Sequence, residues 1–109
     1  MSVANGSNGW VEVADVCEFE QIDRKGLRLP DRRELAVFKV DGVFYALAAS
    51  CSHERASLLL GQVKGTEVSC PLHGARFDLA TGRHLSLPAV RPVKSYAVKV
   101  ENGKVYVQT

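Results

Sequence analysis

The sequence predicts an all-β domain, and three observations carry that prediction. Asp41-Gly42 and Asn102-Gly103 each join two runs rich in aromatic and β-branched residues, and both dipeptides supply the positive φ angles of a tight hairpin. The other apolar runs are short and end at turn residues. No window carries the 3.6-residue period of a long amphipathic helix. About seven to nine short strands are expected, within the range of small all-β domains.

Met1 to Gly9 is polar and rich in Gly, Asn and Ser, and lacks the charged-then-apolar pattern of a secretory signal. It reads as a flexible tail, with a single domain over 10–109. Trp10-Val11-Glu12-Val13 alternates as a strand does. Cys17 to Ile22 reads as a helical turn or loop. Cys17 has no Cys or His near it and is expected to be a small buried hydrophobe. The basic cluster Arg24, Lys25, Arg28, Arg32 and Arg33 is interleaved with Asp23, Asp31 and Glu34 and broken by Gly26 and Pro30. A solvated loop is expected there.

Glu34 to Val40 and Val43 to Leu47 are the arms of the first hairpin. The second arm runs on towards Cys51. Leu58-Leu59-Leu60-Gly61 is an apolar connection. Thr66 to Ser69 is a strand that delivers Cys70, and Arg76 to Leu79 is another, ended by the Thr81-Gly82 turn. Two prolines keep Leu87 to Val93 out of any central strand, so an extended surface segment is expected. Tyr96 to Val100 and Lys104 to Gln108 flank the second hairpin turn.

Composition narrows the function classes. The chain has 109 residues, 46% hydrophobic and 24% charged, which suits one ordinary globular domain. A net charge of +2 does not indicate a nucleic-acid binder. No stretch is apolar enough to span a bilayer. Three cysteines, two of them in motif-like surroundings, argue against a disulfide framework and fit a reducing cytoplasm.

The chemistry concentrates in Cys51-Ser52-His53 and Cys70-Pro71-Leu72-His73, sixteen residues apart. Thiolate and imidazole are ligands of zinc, copper and iron–sulfur centres. A Cys2His2 zinc site has this ligand set, but its spacing usually pairs Cys with Cys and His with His. Two Cys and two His also serve a 2Fe–2S centre in which His replaces Cys on one iron. Ligand identity alone leaves both open. Pro71 restricts one loop, and Gly74 lets backbone pass where a β-carbon would crowd a metal centre.

Cys51-x-His53, the sixteen-residue spacer, Cys70-x-x-His73, Gly74 and then Phe77-Asp78 resemble the Rieske iron–sulfur family. The likeness runs from the Phe44 strand through the Pro88 segment to the Tyr106 strand. Pro71 to Gly74 and Leu87-Pro88-Ala89 are similar to the Rieske-type ferredoxins of bacterial ring-hydroxylating dioxygenase systems. The resemblance implies a Rieske-like fold of small antiparallel sheets, with a cluster-binding subdomain of two loops over about 48–90. It implies one 2Fe–2S cluster, with Cys51 and Cys70 on a deeper iron and His53 and His73 on an outer one. It also implies that Leu87 to Ala89 covers one side of the cluster.

Departures from the family pattern matter equally. High-potential, membrane-associated Rieske proteins carry an extra cysteine in each loop, where this chain has Ala56 and Leu72. They place Ser and Tyr hydroxyls towards sulfur, where this chain has Ala75 and Phe77. Hydrogen bonds to sulfur stabilise the reduced cluster, so their absence implies a potential at the low end of the Rieske range, roughly −150 mV.

The implied function is one-electron transport, from a flavin-dependent reductase to a terminal dioxygenase in aromatic hydrocarbon catabolism. Such a carrier is not itself an enzyme and works as a cytoplasmic monomer, with neither nucleic acid nor membrane as partner. Glu54, Arg55, Leu72, Gly74 and Pro88 would rim its docking surface. Were His53 and His73 spent on a cluster, only His84 would remain, and one His cannot build the two-His-one-carboxylate iron site of an oxygenase. His84, following the Gly82-Arg83 turn, is expected to be exposed. No glycine-rich dinucleotide motif for a reductase occurs. The alternatives are a Rieske-type small subunit of another redox enzyme, such as nitrite reductase, and a zinc-stapled interaction domain.

Overall fold

The computed structural model describes residues 9–31, 33–49, 57–71, 74–86 and 91–109. Within them lie ten strands: β1 Trp10–Asp15, β2 Arg24–Arg28, β3 Glu34–Val40, β4 Val43–Ala48, β5 Gln62–Lys64, β6 Glu67–Ser69, β7 Arg76–Asp78, β8 Ser95–Tyr96, β9 Val98–Glu101 and β10 Lys104–Gln108. They form three antiparallel sheets, ordered β1-β10-β9, β2-β3-β4-β8 and β5-β6-β7.

Both expected hairpins are present. Asp41 and Gly42 have φ of 51° and 81°, and Asn102 and Gly103 have 52° and 76°. Two successive left-handed residues make the turn whose twist matches that of the flanking strands. β3 and β4 then pair from Val40↔Val43 back to Leu35↔Ala48.

Strand β3 explains why two cores exist. Its residues alternate in direction, so Leu35 and Val37 point to one face of the sheet and Ala36 and Phe38 to the other. All four are at most 1% exposed. Leu35 and Val37 pack with Val13, Phe19, Val105 and Val107, beneath the β1-β10-β9 sheet. Ala36 and Phe38 pack with Leu58, Val68, Phe77 and Leu79, beneath the β5-β6-β7 sheet. The middle sheet is therefore covered on both sides, and its run Leu35-Ala36-Val37-Phe38 is continuously apolar where a half-buried strand would alternate. Each fully buried Leu, Val or Phe contributes about 1.5–3 kcal/mol.

Three expectations need correction. The strand count exceeds seven to nine, because β2 and β5 are additional and the run expected from Tyr96 to Val100 is divided between β8 and β9. The basic cluster is not wholly a loop: Arg24–Arg28 pairs with β3 from Arg24↔Phe38 to Arg28↔Glu34. It is an edge strand, and charged side chains are common on edges because they discourage further pairing. Cys17 lies in a 3-10 helix spanning Val16–Glu20 and is exposed; Phe19 fills the core instead. A 3-10 turn can send only some residues inward, and the larger apolar side chain takes that place.

Gly82 ties the turn after β7 to the return of the chain. Its φ is +78°, its N–H donates to Asp78 O, and its carbonyl accepts from Val93 N. A β-carbon there would collide with the Val93 carbonyl oxygen. Gly82→Ala should therefore cost about 2 kcal/mol or more, from left-handed strain and overpacking together. A lowered urea unfolding midpoint would report it; Gly65→Ala, at φ +59° in open space, should cost less.

Candidate metal centre

Both ligand loops are closed at their bases. Ala49 is the last described residue before the first loop and Leu58 lies just after it; Leu58 N–H donates to Ala49 O. Ser57 caps the 3-10 helix Leu58–Leu60, its hydroxyl accepting from Leu59 N–H at 3.2 Å. The second loop joins β6 to β7. Cys70 N–H donates to Ala75 O at 2.7 Å, and Gly74 N–H donates to Cys70 O at 2.9 Å. Gly74, at φ +74°, makes the left-handed step that lets so short a loop close.

The two bases share one apolar core. Ala49 and Leu58 from the first, and Cys70, Ala75 and Phe77 from the second, belong to a single buried cluster. Cys70 is 2% exposed and forms no disulfide, whereas Gly74 is exposed. The second loop thus has a deep end at its cysteine and a surface end at the glycine following its histidine.

The segment after β7 is anchored on the same side. His84 bridges to Phe77, Leu85 N–H donates to Arg76 O at 2.7 Å, and Arg76 N–H donates to the Ser86 hydroxyl at 3.0 Å. On the return, Val93 N–H donates to Gly82 O at 2.9 Å. The chain entering the proline-containing stretch is therefore fixed on β7, and the chain leaving it on the turn after β7. His84 corrects an expectation: it is half-buried, and its Nδ1 is buried with no hydrogen-bond partner among the described residues. Its bridge to Phe77 draws it inward.

Of the four expected ligands, Cys70 is placed, and Cys51, His53 and His73 lie outside the described residues. So do Glu54, Arg55, Leu72 and the Leu87-Pro88-Ala89 segment. A 2Fe–2S cluster with mixed ligands requires two loops held at one place and a thiol screened from water. The paired loop bases and the burial of Cys70 meet both requirements. A model of the Rieske [2Fe-2S] domain matches residues 9–97.

The chain belongs to the Rieske [2Fe-2S] domain family. Two curated relatives describe the kind of Rieske protein. The ferredoxin component of a naphthalene 1,2-dioxygenase system from Pseudomonas putida is 36% identical over 90% of this chain and 93% of its own length. The 3-phenylpropionate/cinnamic acid dioxygenase ferredoxin subunit of Shigella flexneri is 43% identical, over 87% and 86%. Among solved structures, the ferredoxin of carbazole 1,9a-dioxygenase from Nocardioides aromaticivorans superposes with a TM-score of 0.84 at 32% identity, covering 91% of this chain and 96% of that one. A complex of reduced oxygenase and oxidized ferredoxin in carbazole 1,9a-dioxygenase contains a chain that matches with a TM-score of 0.87 at 31% identity, covering 94% of each.

This Rieske domain carries a Rieske-type 2Fe–2S cluster, and the zinc alternative falls with that. No described helix is long and apolar enough to cross a membrane. One residue that touches the return arm of the first loop was not singled out from the sequence: Arg24, on edge strand β2. The available signal was Leu27 and Leu29 two apart, which is strand spacing inside the basic cluster.

Proposed function

We propose that this protein is a one-electron carrier, passing electrons from a flavin-dependent reductase to a terminal ring-hydroxylating dioxygenase. The observation that carries this reading is the convergence of two closed loop bases on one buried core around Cys70. When bound, a 2Fe–2S cluster accepts and releases one electron at a time. The chain's task is to hold that group rigidly, keep water from its inner side and present its outer side to partners.

Cys51, His53, Cys70 and His73 are the proposed ligands, with the two cysteines on the inner iron. The burial of Cys70 and the exposure of Gly74 support that orientation. The domain is proposed to span 10–109, with the cluster-binding part over about 48–90. Docking is assigned to the rim formed by Gly74 with Glu54, Arg55, Leu72 and Pro88. A small transient contact suits a shuttle, since redox encounters lie at the low end of interface size. A cytoplasmic location follows from cysteine usage typical of a reducing compartment.

Anaerobic reduction with metal analysis tests the proposal. Iron and acid-labile sulfide in equal amounts are expected, with a paramagnetic resonance signal that appears on reduction. Mixed with a flavin-dependent reductase and a ring-hydroxylating oxygenase, the protein should be required for oxygenated product. Zinc without sulfide, or product formed equally well in its absence, would overturn the reading.

A further inference from the structure

The Arg24 side chain is 23% exposed, and its contacts account for the rest. Nη1 donates to Leu59 O at 3.0 Å and also to Gly61 O. Nε and Nη2 donate to the two carboxylate oxygens of Asp23, at 2.9 and 3.1 Å. The guanidinium carbon stands 5.3 Å from the centre of the Phe38 ring, its ladder partner on β3. Hydrogen bonds from the Arg24 side chain hold the Asp23 carboxyl below its ordinary range. One planar group thus joins the middle sheet to two carbonyls, of Leu59 and Gly61, on the first ligand loop's return arm.

Two glycines make the crossing close. Gly26 follows Arg24 on the same face of β2, and a β-carbon there would come 2.8 Å from the Leu59 side chain. At Gly61 a β-carbon would collide with the carbonyl oxygen of Ser69, the residue before Cys70. The arm leaving the first loop is therefore pressed against the strand that delivers the second, and Arg24 binds that arm where it crosses.

We propose that Arg24 is a positioning residue for the metal centre: its grip on Leu59 and Gly61 fixes the first ligand loop against the strand that delivers Cys70. This rests on the ligand assignment above. Lysine is a poor substitute, because an ammonium cannot bind two carbonyls and a carboxylate in one plane while lying over a ring.

The test compares wild type, Arg24→Lys and Arg24→Gln as cluster-loaded proteins. Three quantities are followed: the rate at which visible absorption is lost, the resonance line shape after reduction, and the unfolding midpoint. Both variants should lose the cluster roughly tenfold faster, the lower end of what outer partners of metal ligands contribute. Both should shift the line shape, and lysine should not rescue. Support of the sheet alone would lower the midpoint while leaving lifetime and line shape untouched; that result overturns the proposal. Should neither variant fold, Asp23→Asn keeps the guanidinium but removes its orienting carboxylate. A smaller change in the same direction is expected there, and wild-type behaviour would overturn the proposal. Cys51→Ser runs in parallel. If it keeps wild-type absorption, the ligand assignment has failed and not the clamp.

Discussion

Cys70→Ala should yield a colourless protein with most of its cooperative unfolding lost. Cys70 sits where three structural roles meet. It is a proposed ligand, it is 2% exposed within the core under both loops, and its backbone closes the second loop through Ala75 and Gly74. Removing the thiol would take away the proposed bond to the inner iron and leave a small void in the cluster that holds Leu58, Ala75 and Phe77. The void alone is a modest effect, since less than a methylene-rich side chain is lost. Loss of the cluster is the larger one, because a metal centre that holds two loops together contributes its binding energy to folding. Cys70→Ser separates the two. Serine nearly fills the space at the cost of a buried hydroxyl, so a packing role predicts a coloured protein with a modestly lowered melting curve, whereas a ligand role predicts loss of visible absorption. Cys17→Ala is the control: Cys17 is exposed on the 3-10 helix, and its absorption and melting curve should match wild type. Normal colour in Cys70→Ser would remove Cys70 from the centre.

The hairpins and the loop motifs were legible in the sequence because each depends on local chemistry. A pair of left-handed residues fits Asp-Gly or Asn-Gly, and the structure has those turns where the dipeptides stand. The Cys-x-His and Cys-x-x-His spacing is likewise local. What could not be read was set by the other side of the molecule. Strand β2 was hidden because Arg24, Lys25 and Arg28 look like a solvated run until β3 lies beside them and Phe38 faces Arg24. Cys17 and Phe19 share one 3-10 turn, and which of them faces inward is set by the core the turn meets; His84 is drawn inward by its bridge to Phe77. The bifacial burial of β3 was visible only as an apolar run of four residues, which is equally compatible with a strand inside a parallel sheet.

The double variant Ala75→Ser with Phe77→Tyr should raise the reduction potential by roughly 100 mV, a fraction of the span of the Rieske class. The starting value should lie near the low end, roughly −150 mV. Ala75 and Phe77 are both fully buried beside Cys70, in the loop base and on the strand leaving it. Neither carries a hydroxyl, so neither side chain can donate a hydrogen bond to sulfur. Reduction adds negative charge to the cluster, and a donor aimed at sulfur stabilises that charge more than it stabilises the oxidised form. Placing donors there therefore favours the reduced state and moves the midpoint upward. The fold supplies an independent check, because a hydroxyl buried at either position without a partner costs about 1–3 kcal/mol. A raised midpoint with an unchanged melting curve means both hydroxyls found sulfur. A lowered melting curve with an unchanged midpoint means that they did not, and that solvent access at the exposed end near Gly74, or the charge around it, governs the potential instead.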